Sequence, residues 1–233
     1  MTRTTNRRGR KAVALCAVGA VLGVGIYTTL ASWNDNEWVV AGLDGDGDDD
    51  GGVGTSTFEV VQNREQAPAV SAAFEHRPTN LEAGPLEFDA VISAMSPGQT
   101  VYAPVALKTT DDSIAGEVTL QGAVASEAVT ATDPSGLLWD ALRYTVRTSE
   151  TALDCDADSW ADWTTTVVAD ASLGTGATAA QSLPAAGARA QYYCFAITLP
   201  AEEDLDLPVG AEVNDLQGRA VYPAWNFASE SVD

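Results

Sequence analysis

Short β-prone runs recur along most of this chain, and their punctuation constrains its fold more than any other feature. FEVVQ (Phe58–Gln62), LEFDAVI (Leu86–Ile92), TVYAPVALKTT (Thr100–Thr110), GEVTLQGAVA (Gly116–Ala125), LRYTVRTS (Leu142–Ser149), YYCFAITLP (Tyr192–Pro200) and AVYPAWNFAS (Ala220–Ser229) are separated by Gly, Pro, Asp and Ser. Runs of this length between turn formers predict strands. In Thr100–Thr110, Val101, Ala103, Val105 and Leu107 alternate with Tyr102, Pro104, Ala106 and Lys108, so one face meets a core. Ser96-Pro97-Gly98-Gln99 predicts a turn before that strand, and Thr110–Ser113 a hairpin loop after it. Helical patterning is confined to SGLLWDAL (Ser135–Leu142) and NLEAGPLEF (Asn80–Phe88), each predicting at most a short turn of helix. The expected fold is therefore all-β, a two-sheet sandwich.

The N-terminus reads differently. Arg3, Arg7, Arg8, Arg10 and Lys11 precede an apolar run from Ala12 to Tyr27 with no acidic residue before it, which is the layout of a secretory signal helix. Ala31 and Ser32 offer a signal peptidase small residues, so the expected cleavage junction is Ala31, Ser32 and Trp33. An uncleaved anchor is the alternative reading of Ala12–Ala31; Gly19, Gly23, Gly25, Thr28 and Thr29 weigh against it. The expected division is signal peptide 1–32, N-terminal strand segment and acidic loop 33–57, and sandwich 58–233. No membrane association is expected after signal removal, and the closing FASESVD carries no sortase-type motif for wall attachment.

From Trp33 onward 7 Lys and Arg face 33 Asp and Glu, a net charge of −26. Phosphate backbones would be repelled, so nucleic acid is not an expected partner. The run DGDGDDDGG (Asp44–Gly52) places Asp46, Asp48, Asp50 and Gly51 on the first half of a calcium loop, but Thr57 stands where the bidentate Glu would be. We read it as a solvated acidic linker, with surface calcium as the alternative and no other cofactor expected.

Cys16 falls in the signal, leaving Cys155 and Cys194 as an even pair in an exported protein. A disulfide between them is expected, joining the two layers of the sandwich; free thiols or a metal pair are the alternatives. The one histidine, His76, lies in FEHRPT beside Pro78. It reads as a solvent-facing loop residue, which leaves a zinc protease or a serine triad without its imidazoles. Paired carboxylates for glycoside cleavage remain an alternative that sequence does not address. Trp160 and Trp163 in DADSWADW read as packing beside Cys155, with a carbohydrate platform as the alternative. No catalytic or metal residues are assigned.

Four stretches taken in order resemble the TasA/camelysin group of Gram-positive secreted proteins, in an actinobacterial branch. They are TTLASWNDNEW (Thr28–Trp38) closing the signal, MSPGQTVYAPVALKTTDDSIAGEVTLQGA (Met95–Ala123), ARAQYYCFAITLP (Ala188–Pro200) and LQGRAVYPAWNFASES (Leu216–Ser231). The resemblance implies a jelly-roll-like sandwich, cleavage by a SipW-type signal peptidase, and self-association or association with other matrix proteins, in some members as biofilm fibres. The Asp44–Gly52 insert and the Cys155/Cys194 pair depart from that pattern. One branch carries a protease label, which the single histidine does not favour. The expected role is an exported cell-surface or matrix structural protein. Its assembly would use Trp33–Leu43 as a donated strand anchored by Trp33, Trp38, Val39, Val40 and Leu43. A monomeric adhesion or ligand-binding module is the alternative.

Overall fold

Alternation turns into sheet where the sequence predicts it most strongly. The structure is a computed structural model, and it describes residues 55–65 and 74–232. Ten strands follow in chain order: β1 (Val60–Asn63), β2 (Thr100–Thr109), β3 (Gly116–Leu120), β4 (Val124–Ala125), β5 (Arg143–Ser149), β6 (Thr165–Ser172), β7 (Gln181–Leu183), β8 (Gln191–Thr198), β9 (Pro223–Ala224) and β10 (Phe227–Ser231). One short helix, α1 (Leu137–Ala141), precedes β5. A five-stranded sheet runs β1-β2-β8-β5-β6, a three-stranded sheet β10-β3-β7, and β4 pairs with β9. Every ladder is antiparallel. The all-β sandwich expected from the sequence is the fold observed. The signal segment, the cleavage junction, the anchors Trp33, Trp38, Val39, Val40 and Leu43, and the acidic run lie outside the described residues.

In β2, Val101, Ala103, Val105 and Leu107 are all buried, as alternation predicts. Tyr193, Phe195 and Ile197 of β8 and Tyr144 and Val146 of β5 enter the same core, as do Val118 and Leu120 of β3 and Leu183 of β7 from the facing sheet. Aromatic rings join the layers: Tyr193 lies 5.0 Å from Phe227, Phe195 5.1 Å from Trp225, and Tyr144 5.5 Å from Trp225. Such tilted pairs add to the area they bury.

Pro104 sits in the middle of β2, a position that ordinarily breaks a ladder. Here the register removes the conflict. The N–H of Leu199 donates to the carbonyl of Gln99, so odd-numbered residues of β2 bond β8 and even-numbered ones face the β1 side. β1 ends opposite Ala106, so the missing N–H of Pro104 interrupts no strand pair.

Three sequence expectations need correction. Leu86–Ile92 forms no strand; Asp89 instead caps the edge of β2, its N–H donating to the Tyr102 carbonyl (2.9 Å) and its carboxylate accepting from the Tyr102 N–H (2.8 Å). Thr110–Ser113 is no hairpin loop, because β2 and β3 belong to different sheets. Buried Ser113 pins that crossing: its hydroxyl accepts from the Glu59 N–H (3.0 Å), and its carbonyl accepts from Ala186 (2.8 Å). Ala220–Ser229 is split between β9 and β10. The Ser96–Gln99 turn and the short helical turns at Asn80–Glu82 and Leu137–Ala141 form where expected; Gly98 adopts φ 83°, open to glycine.

α1 is held by a charged knot. Asp133, whose side chain is 1% exposed, accepts from the Trp139 N–H (3.0 Å) and from Arg219 (2.7 Å), which also reaches Ser135 (2.8 Å). Burial pushes the Asp133 carboxyl up, but the backbone N–H of Trp139, the Arg219 guanidinium and the N–H of Leu138 together hold it below the usual Asp value. In that range the folded protein carries fewer protons than the unfolded chain. The stabilisation is therefore complete above the ordinary Asp pKa of about 3.9 and is lost as pH falls through the depressed folded value. Asp133→Asn is expected to cost about 1–3 kcal/mol at pH 7. It is also expected to flatten the acid limb of a urea-stability profile taken from pH 7 to pH 2.

Candidate functional site

The outer face of the five-stranded sheet carries a second, smaller core. β8 is buried on both sides: its odd-numbered residues enter the sandwich, while Cys194 and the half-buried Tyr192 point outward. Residues 150–164, between β5 and β6, fold back over this outward face and bring Cys155 and Trp163 with them, both buried. Cys155 and Cys194 form a disulfide with their Cα atoms 5.5 Å apart. The pairing is as expected but its place is not. The bond staples a covering loop to one sheet and does not join the two layers.

Trp163 explains why the loop closes there. Its indole N–H donates to the Asp154 carbonyl at 2.9 Å, so the ring is buried with its polar atom satisfied. Arg147 projects from β5 onto the same face and donates to the carbonyls of Trp160 (2.9 Å) and Trp163 (3.1 Å). Its guanidinium also lies 4.3 Å from the centre of the Trp160 ring, a cation–π contact in a partly dry setting. Tyr102 completes the cluster, 5.4 Å from Trp160. Burial raises the Tyr102 phenol above its usual value, and nearby Asp89 adds to the rise. The two tryptophans therefore pack the loop, as the sequence reading favoured, and do not stand out as a flat sugar platform.

Beside this core lies a groove of about 290 Å³ whose lining includes Phe74, Pro104, Lys108, Leu153, Arg189 and Tyr192. The Lys108 ammonium sits 4.9 Å from the centre of the Phe74 ring, and Arg189 pairs with Glu150. The two cations stand against apolar and aromatic walls, with Glu65 also lining the groove and Glu150 offsetting Arg189. Sequence reading missed Arg147, Lys108 and Arg189 as site residues. Lys108 and Arg147 carried a signal nonetheless, as charged residues at outward positions of strands.

His76 is more than half exposed, with Nδ1 3.4 Å from a Glu59 carboxylate oxygen. Nearby Glu75 is held below the usual carboxylate range by hydrogen bonds from Arg77 and Arg64. Thr57, at the twelfth position of the calcium-loop pattern, forms an isolated bridge with Ser113 and donates its hydroxyl to the Asp112 carbonyl at 2.7 Å. Among the described residues no group of three or more His, Cys, Asp or Glu is placed to hold a metal ion. Compared with protein-family models and with curated proteins, the chain matches none.

Proposed function

We propose that this chain is an exported structural protein of a cell surface or extracellular matrix, released by a SipW-type signal peptidase, which assembles with itself or with other matrix proteins. The observation that supports this reading best is the buried Cys155–Cys194 bond, since such bonds form and persist in oxidising compartments. The sequence adds a basic, then apolar N-terminus and a net charge of −26 beyond it. The antiparallel sandwich supplies sheet edges to which an extended segment can add by backbone hydrogen bonding. Trp33–Leu43, with Trp33, Trp38, Val39, Val40 and Leu43 as anchors, is the proposed donor strand. In this reading the protein has no catalytic role.

Oxidised protein beginning at Trp33 is expected to form assemblies visible by electron microscopy. Deleting Trp33–Leu43 is expected to abolish the large assemblies in light scattering. Assembly that survives the deletion unchanged removes strand donation. Running the same samples with and without calcium tests whether the acidic run contributes. The groove beside Lys108 and Arg189 favours a second reading, a monomeric surface module that binds a small ligand; intact protein that stays monomeric under all these conditions would support it.

A further inference from the structure

The two larger sheets have four edges between them, and in this molecule three of them are blunted. On β1, the N–H and carbonyl of Gln62 both bond Glu75 (2.9 and 2.8 Å), leaving only Val60 facing outward. Arg64 seals the end of that strand. It bonds Glu75 and the Pro85 carbonyl, and its guanidinium lies so close to Gly84 that a side chain there would overlap it. β6 is broken at mid-length by two register shifts against β5 and by Asp170, which adopts φ 38°. Bulges and captured backbone groups of this kind blunt an edge. β7 is three residues long and runs into Pro184.

The fourth edge, β10, is the least protected. Its five residues pair with β3 without a register shift. The ladder is flanked by bonds from Gln121 N–H to the Asn226 carbonyl (2.8 Å) and from Val232 N–H to the Ala115 carbonyl (3.0 Å). In an antiparallel pair, bonded and non-bonded positions alternate, so Ala228 and Glu230 bond β3 while the backbone groups of Phe227, Ser229 and Ser231 point away from the sheet. Among the described residues the only bond on that side is local, from the Ser229 hydroxyl to the Phe227 carbonyl at 3.2 Å.

We infer that β10 pairs with β10 of a second copy, antiparallel about a twofold axis at Ser229, joining two three-stranded sheets into one of six. Charge selects this occupant. Two chains this acidic repel over most of their surfaces, yet Ala220–Ser229 carries no charge. A register centred on Ser229 places Ala228 opposite Glu230 of the second copy and Phe227 opposite Ser231, so no two carboxylates face each other. A twofold contact of one patch with itself is the commonest way for a soluble chain to pair.

The test uses the purified oxidised protein, by sedimentation velocity and hydrogen exchange over rising concentration. A monomer–dimer equilibrium is expected, with the amides of Phe227, Ser229 and Ser231 gaining protection as dimer forms. Ser229→Pro removes one outward N–H and leaves the β3 ladder intact, so it is expected to abolish the dimer. Ala228→Glu sets a carboxylate against Glu230 of the other copy. It is expected to weaken pairing about tenfold, with recovery in 1 M salt, and it keeps the question open to experiment if the proline variant fails to fold. A chain that stays monomeric with those amides unprotected throughout, or variants that dimerise as tightly as the parent, would overturn the inference. So would loss of the dimer on deleting Trp33–Leu43, which would give this edge to a donated strand; loss of larger assemblies alone, with the dimer intact, would leave it standing.

Discussion

Replacing Trp163 by alanine is expected to lower the unfolding free energy by about 3–5 kcal/mol, the range for removing a large aromatic from a packed interior. The indole is 1% exposed and fills the space between the covering loop and the outer face of the sheet. Its loss would leave the Asp154 carbonyl without its donor and remove the largest side chain of the cluster against which Trp160 and Tyr102 pack. Trp163→Phe separates these contributions, because it keeps most of the packing and loses the hydrogen bond. About 1–2 kcal/mol is expected for that variant. Urea unfolding followed by circular dichroism gives both numbers. A loss below 1 kcal/mol for Trp163→Ala would mean that the outer core adds little to the fold.

The second large effect concerns the staple itself. A double Cys155→Ala, Cys194→Ala variant is expected to be about 2–5 kcal/mol less stable than the oxidised protein. The closed loop spans a sequence separation of 39 residues, so much of this effect lies in the unfolded chain, which regains the freedom the bond removes. The native-state signature is local. Hydrogen exchange is expected to accelerate first in residues 150–164 and to leave β2, β5 and β8 protected, because their inner faces belong to the larger core. Uniform acceleration across the sheet would contradict a separable outer core. The two proposals couple: Trp163 and the cystine share one cluster, so combining their substitutions should cost less than the sum of the separate effects.

The sequence revealed those parts of the fold where one physical signal acts alone. β2 was legible because its alternation is strict and the turn before it uses Pro97 and Gly98 in their ordinary roles. The cysteine pair followed from an even count in a chain reading as exported. β6 went unrecognised because two bulges break its period of two, and β7 because three residues hold no pattern. Leu86–Ile92 looked like a strand by composition, but Asp89 gives both its backbone and its carboxylate to the edge of β2. The crossing at Thr110–Ser113 looked like a hairpin because proximity along a chain does not say which sheet a strand joins. The outer core was hidden for a related reason: Tyr192–Ile197 of β8 is a continuous apolar run, and only the returning loop shows what covers its second face. Of the candidate site, Cys155, Cys194, Trp160 and Trp163 were visible, whereas Lys108 and Arg189 became neighbours only through folding.

The arrangement of closed and open edges limits how far edge pairing alone can build. A particle with one adhesive side has a valence of one: two meet, both sticky sides are consumed, and growth halts at the couple. An extended thread therefore demands a second contact of a different kind. In the proposed role that contact would be the segment from Trp33 to Leu43, leaving couples as the repeating bead and the tether as the string.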